Sequence, residues 1–254
     1  MDNILYNLLY SLNDELDKND TGSVNFVLSR YFIENFEAIP NANIYQMAED
    51  CNVSRASIRR FSQGMGFENF ADMKKTIKNH LPENNNIPDK NYRELLTGNL
   101  IRIVSELDER MNTHEIDVIC DRISKAKKMI ILTSRTSMSN AKDFQIELAS
   151  KGKLSYIISD DSLDSMIFDD FEKSDYIITL SVSGLFAKSV SEKMCQIDCN
   201  KDLITVNRII DFGNSFSHVY YMSHLDHSTN PDVYRAYGLH YFLDIIQNHY
   251  SESE

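Results

Sequence analysis

Three arginines crowd one short segment, Ser54-Arg55-Ala-Ser57-Ile58-Arg59-Arg60-Phe61. A guanidinium presents a planar fork of donors that suits guanine O6 and N7 in the major groove, or a pair of phosphate oxygens. Ser54, just ahead of them, has the side chain that caps a helix by accepting a backbone N–H. A helix starting there turns Arg55, Ala56 and Ser57 outward in its first turn and carries Arg59 and Arg60 one turn later, the layout of a recognition helix entering DNA end-on. Arg59 and Arg60 suit phosphates or guanine edges, and one of them could instead pair with an acidic neighbour. The candidate DNA contacts are therefore Ser54, Arg55, Ser57, Arg59 and Arg60. A helical hairpin with solvated arginines is the alternative.

Other reactive side chains are less suggestive. His224 and His227 have two residues between them and no clear third ligand, so polar surface or a pocket rim is expected rather than a metal. Cys51, Cys120, Cys195 and Cys199 lack zinc-site spacing and read as reduced structural thiols. The acidic run from Asp160-Asp161 to Asp169-Asp170 reads as a solvated helix flank. No metal or cofactor is expected.

The net charge of −12 looks hostile to a nucleic-acid partner, but its distribution matters more. Between residues 54 and 78, Arg55, Arg59, Arg60, Lys74, Lys75 and Lys78 face only Glu68 and Asp72. One basic island thus lies in an otherwise acidic chain. With 42% hydrophobic and 25% charged residues, the 254-residue chain has ordinary globular composition and enough apolar material for two cores. No run of about 18 apolar residues is present, and Met1–Tyr10 lacks the basic flank and cleavage site of a secretory signal. A cytoplasmic location with no membrane contact is expected.

Two kinds of element must position these residues. In Ile4–Leu16, Val24–Phe36, Ile44–Ala48 and Ser54–Phe61 apolar residues recur at helical spacing, so residues 1–79 form an all-α domain. Within it, Ile44, Met47, Val53, Ile58 and Phe61 supply an apolar seam between two helices, and small Ala48 permits their close crossing. Asn52 falls at the turn, where a left-handed backbone is needed and Asn is the residue most tolerant after Gly. Residues 80–91, with Pro82 and Pro88 around an Asn run, form a linker. From Tyr92 to Ala126 the pattern is helical in one or two pieces. Short β-rich runs follow at Met129–Thr133, Ser155–Ser159, Asp175–Ser181, Asp202–Val206 and Val219–Ser223, separated by helical stretches. That alternation predicts, over 92–254, an α/β domain with a five-stranded parallel sheet flanked by helices on both faces, binding ligands beyond the strand C-termini.

The run Arg60-Phe61-Ser-Gln-Gly64-Met65-Gly66-Phe67-Glu-Asn-Phe70-Ala-Asp-Met73-Lys74 ends the recognition helix at Gly64, turns through Gly66 and docks Phe67, Phe70 and Met73 as a further helix. Together with Ile44–Phe61 it resembles the N-terminal domain of the RpiR (MurR/RpiR-type) family of bacterial transcriptional regulators. The resemblance covers about residues 20–80, with Met65 at the family's leucine position. It implies an appended SIS (sugar isomerase) domain that holds a phosphosugar through hydroxyls, backbone N–H groups and helix N-termini.

Two loops carry that implication. Thr133-Ser134-Arg135-Thr136-Ser137 aligns Ser137 with the family's hydroxyl, while Thr133 and Arg135 replace its two glycines. Arg135 could pair with an anionic ligand or occupy the ligand's space. Ser181-Val182-Ser183-Gly184-Leu185-Phe186 resembles the family signature Ser-x-Ser-Gly-x-Thr, with Phe186 in place of the Thr. The candidate ligand residues are Ser134, Arg135, Ser137, Ser181, Ser183 and Gly184; helix capping by the same serines is the competing reading. The stretch Tyr234–Ile246 resembles the family's closing helix, which packs on the sheet and helps build subunit contacts.

A DNA-binding regulator of carbohydrate metabolism follows, with double-stranded operator DNA, a small effector of the phosphosugar class and a second copy of itself as partners. Two other readings stay open. One is a sugar-phosphate isomerase, for which no convincing base is placed; the other is a regulator whose SIS domain only dimerises.

Overall fold

The structure, a computed structural model, describes residues 3–18, 20–80, 91–111, 113–159, 171–228 and 231–252. Residues 81–90 of the expected linker and the acidic run 160–170 lie outside the described residues. The chain divides into two compact units, Met1–Asp89 and Lys90–Glu254.

The first unit contains α1 (Asn3–Asp17), α2 (Val24–Glu34), a 3₁₀ turn (Ile39–Asn41), α3 (Ile44–Asp50), α4 (Arg55–Gly64) and α5 (Phe70–His80). Local polar side chains set where three of these helices begin. Ser23 Oγ accepts from Phe26 N–H, Asn43 Oδ1 from Tyr45 N–H and Ser54 Oγ from Ser57 N–H, each satisfying a donor that has no partner inside its helix. Leu8, Leu12, Leu28, Phe32, Met47, Ile58, Met73 and Ile77 are buried in one apolar cluster. Burying each such side chain stabilises the fold by about 1.5–3 kcal/mol. Phe32 links the layers, its ring centre 5.4 Å from that of Phe61 and 6.3 Å, edge-on, from that of Phe70.

The second unit opens with α6 (Tyr92–Arg110) and α7 (Thr113–Lys125), the two pieces allowed for by the helical pattern. Strands β1 (Met129–Thr133), β2 (Ser155–Ser159), β3 (Tyr176–Leu180), β4 (Asn200–Thr205) and β5 (His218–Tyr221) follow, interleaved with α8 (Met138–Ser150) and α9 (Leu185–Gln196). They form one sheet in the order β2-β1-β3-β4-β5, and every pairing is parallel. β1 and β3 are buried along their whole length, as strands covered on both faces must be. Met129, Ile131, Ile178 and Ile204 pack on one face against Ile119 and Ile123 of α7 and Phe144 and Leu148 of α8. On the other face, Ile130, Leu132, Ile177 and Leu203 pack against Phe186, Val190 and Met194 of α9.

The chain closes with α10 (Leu239–Glu252), whose Leu239, Phe242, Leu243 and Ile246 join the first of these two clusters. The apolar periodicity from Tyr234 predicts a uniform helix, but Tyr234–Gly238 winds as a wider π-turn. Gly238 is closely approached there: a Cβ on it would lie 3.1 Å from Tyr234 Cδ1.

Candidate functional site

Around α4 the local geometry follows from the turn before it. Asn52 has φ +50°, the left-handed value expected at this turn, and the backbone N–H groups of Asn52 and Val53 donate to the carbonyls of Glu49 and Ala48. Ile58, Phe61 and Ser62 then face the core, while Arg55, Ala56, Arg59 and Arg60 are exposed. Ser54 and Ser57 are tied together, their hydroxyls 2.9 Å apart in addition to the capping bond. The Ser54 oxygen is thus committed to starting the helix. Arg59 borders a groove with Asn43, Asn69 and Lys74; Arg60 borders another with Glu15, Asn25 and Ser57. The arginines therefore spread across the helix surface rather than forming one patch.

One residue missed by the sequence reading sits beside them. Tyr45, in the first turn of α3, is 60% exposed, and the Arg55 guanidinium carbon lies 4.5 Å from its ring centre. The cation is held over the negative face of the ring, which limits the directions the guanidinium can take. An exposed tyrosine at that spacing carried no signal, because its partner lies ten residues away across the turn.

In the second unit, β1 leads through α8 to β2 on one side, while β3 lies on β1's other side and leads through α9 to β4. Strand order reverses between β1 and β3, and α8 and α9 lie on opposite faces. Such a reversal opens a crevice beyond the strand C-termini. Thr133 is paired with Leu180, so both candidate loops leave neighbouring strands at the same level.

Ser137, 1% exposed, sits at the N-terminus of α8, and its Oγ is buried with no hydrogen-bond partner among the described residues. It does not cap α8. An unpaired buried hydroxyl costs about 1–3 kcal/mol, so a donor or acceptor that completes it has a ready gain. Ser134 Oγ and Thr136 Oγ1 lie 2.7 Å apart and satisfy one another, and Arg135 is half-buried in the 3₁₀ turn between them and α8.

On the other loop, Ser181 Oγ accepts from Ala187 N–H at 3.0 Å, so this serine does anchor α9, as the capping alternative requires. Gly184 opens α9 at φ +79°, and a Cβ on it would lie 2.7 Å from Asn207 Cβ. Asn207, also missed in the sequence, fastens this loop. Its Nδ2 donates to the Ser183 carbonyl at 2.8 Å, and its Oδ1 accepts from the N–H groups of Ile209 and Ile210. Phe186, in the family's Thr position, is buried in the apolar cluster under α9 with Ile130, Leu132 and Val190.

His224 and His227 diverge. His224 Nδ1 lies 2.6 Å from a terminal nitrogen of Arg110, whereas the His227 ring stacks 4.7 Å from that of Tyr234. Among the described residues no cluster of three His, Cys, Asp or Glu side chains could hold a metal ion, and no helix is long and apolar enough to cross a membrane.

The sequence profile described as "Helix-turn-helix domain, rpiR family" matches residues 5–84. A relative from Bacillus subtilis (strain 168), named HTH-type transcriptional regulator GlvR, is 24% identical over 161 residues, which span 63% of this chain and 61% of that regulator's length. Among solved structures, the Vibrio vulnificus NanR protein complexed with ManNAc-6P is similar with a TM-score of 0.56 at 15% identity, over 97% of this chain and 92% of that one. The sugar isomerase domain of an RpiR transcription factor from Sphaerobacter thermophilus has a TM-score of 0.53 at 13% identity, over 65% of this chain and 92% of that one. At these identities the structural likeness establishes the fold alone, an α/β domain that follows the helical domain in the chain. Residues 5–84 thus match an rpiR-type helix-turn-helix domain, and the α/β domain that follows has the fold of the sugar isomerase domain.

Proposed function

We propose that the protein regulates genes of carbohydrate metabolism by binding operator DNA through α4, under the control of a small phosphorylated sugar bound between the β1 and β3 loops. The observation that carries the first half is the Ser54-capped helix that exposes Arg55, Arg59 and Arg60 in a chain of net charge −12. The second half is supported by the buried, unpartnered Ser137 hydroxyl at the mouth of the strand-order reversal, by the Ser181–Gly184 loop beside it, and by the phosphosugar held by the structurally similar NanR. Ser134, Arg135, Ser137, Ser181, Ser183 and Gly184 form the proposed effector site, with Ser181 and Gly184 shaping the loop and Ser137 donating to the ligand. Operator half-sites mirror protein symmetry, so the acting form is a homodimer. The effector acts by binding one arrangement of the two DNA heads more tightly than the other.

An isomerase would need a general base at the crevice. The two loops offer hydroxyls, Arg135 and apolar side chains instead, and GlvR and the Sphaerobacter protein are named as a transcriptional regulator and a transcription factor.

Selection of DNA by the full-length protein, followed by anisotropy titration of the selected duplex with and without sugar phosphates, tests this function. A single enriched palindromic site whose affinity changes with one phosphosugar is the expected result. Binding that is equally tight to any duplex and indifferent to a broad phosphosugar panel would overturn it.

A further inference from the structure

Beyond the ends of β4 and β5, on residues outside the β1 and β3 loops, two arginines are anchored on one backbone segment. Arg110, the last residue of α6, donates Nε to the Tyr221 carbonyl at 2.9 Å and a terminal nitrogen to His224 Nδ1 at 2.6 Å. Arg208 donates Nε to the Ser223 carbonyl at 2.7 Å, and its guanidinium carbon lies 4.3 Å from the centre of the Tyr221 ring. The two accepting carbonyls are two residues apart, at and just past the end of β5. Fixing each guanidinium through Nε leaves the terminal nitrogens of Arg208, and one of Arg110, without a hydrogen bond among the described residues.

The carboxylates nearby are already engaged. Glu106 accepts from Ser223 Oγ, His224 N–H and Tyr234 OH, and Asp226 accepts from Arg208 N–H and Ser228 Oγ. Burial and the neighbouring Arg208 charge hold the Arg110 pKa below its ordinary value, against the opposing pull of Glu106 and Glu115. Two pre-oriented guanidinium forks anchored on one short segment suit a tetrahedral oxyanion, which would relieve their repulsion and fill their open donors.

We propose that Arg110 and Arg208 form a second anion site, separate from the β1/β3 crevice, that binds a phosphate group. Exposed Ile209 and Leu225 flank it, giving a rim on which the body of a phosphate ester can rest. The site does not depend on the effector reading of Ser137.

Equilibrium dialysis of the full-length protein with labelled inorganic phosphate, at constant ionic strength, tests it. Arg208 is exposed, so Arg208→Gln leaves the core intact, which circular dichroism checks. Phosphate binding is expected in the wild type and to persist in Ser137→Val, which removes the crevice hydroxyl; in that background adding Arg208→Gln should weaken it at least ten-fold and adding Arg208→Lys should weaken it less. No phosphate binding in the wild type, binding undiminished by adding Arg208→Gln to Ser137→Val, or complete loss in Ser137→Val overturns the proposal. The last result would instead place the phosphate in the crevice. Competition with glucose 6-phosphate then identifies the source: displacement tighter than by unlabelled phosphate marks the site as one for phosphate esters, and equal displacement marks it as one for free phosphate.

Discussion

At Arg55 the stacking on Tyr45 separates two contributions to DNA reading. Losing a guanidinium that grips a base edge costs about 1–3 kcal/mol, so Arg55→Ala should weaken operator binding by roughly 5- to 150-fold in anisotropy at fixed salt. Tyr45→Ala should cost less, because the guanidinium remains but is no longer oriented, and Tyr45→Phe should behave as wild type because the ring face is kept. Equal losses in the Phe and Ala variants would show that the hydroxyl, not the ring, matters. At Gly184 the left-handed backbone and the 2.7 Å approach to Asn207 Cβ act together. Strain at such a position is of the order of 1–3 kcal/mol, so Gly184→Ala should lower the melting temperature and loosen the Ser181–Gly184 loop. A melting temperature equal to wild type would mean that Asn207 yields without penalty.

The start of α4 rests on the Ser54 cap, and the end of α6 is tied down by Glu106 together with Arg110. Ser54→Ala removes the cap from α4, a loss of about 1 kcal/mol. It should reduce operator affinity by fraying the turn that bears Arg55, with the loss partly restored by Ser54→Asp. On α6, Glu106 ties the helix to the segment after β5 and to the π-turn. Burial alone would push its carboxyl up, but bonds from Ser223 Oγ, the His224 N–H and the Tyr234 hydroxyl hold it below the usual carboxylate range. With the folded pKa below the unfolded value of about 4.3, the stabilisation is complete above that pH and fades as pH falls through the folded value. Thermal melts between pH 6 and pH 3 should therefore show a steeper loss in the wild type than in Glu106→Gln. Parallel curves would remove Glu106 from the acid response.

The whole chain is strongly acidic, yet its proposed partner is a polyanion, so the basic island of residues 54–78 must supply the attraction. Affinity should fall linearly with the logarithm of salt concentration, with a slope of about 0.9 for every DNA phosphate that a cation neutralises. Exposed Lys75 is suited to a phosphate, whereas Lys74 already donates to the Ala42 carbonyl at 2.9 Å. Lys75→Gln should then flatten the slope by about one phosphate's share and weaken all duplexes alike, an outcome unlike the base-selective loss expected for Arg55. Sedimentation of the 29.4 kDa chain should give a dimer at the concentrations where operator binding is cooperative. A monomer there would remove the symmetric mode of reading proposed for it.

What the sequence determined by itself lies within one or two turns along the chain. The cap at Ser54, the left-handed turn at Asn52 and the apolar seam through Ile58 and Phe61 are set by groups close along the chain, whose chemistry is written locally. The central strands β1 and β3 were legible for a related reason, since parallel strands buried on both faces are short apolar runs. Tertiary structure decided what those elements bring together. Strand order places Ser137 beside the Ser181 loop, and no periodicity encodes a neighbour more than forty residues away. Packing buried Phe186 under α9, set Asn207 against Gly184, and lined up Arg110 and Arg208 on carbonyls two residues apart. Each of these depends on where a distant segment passes, which is fixed only when the two faces of the sheet close over their cores.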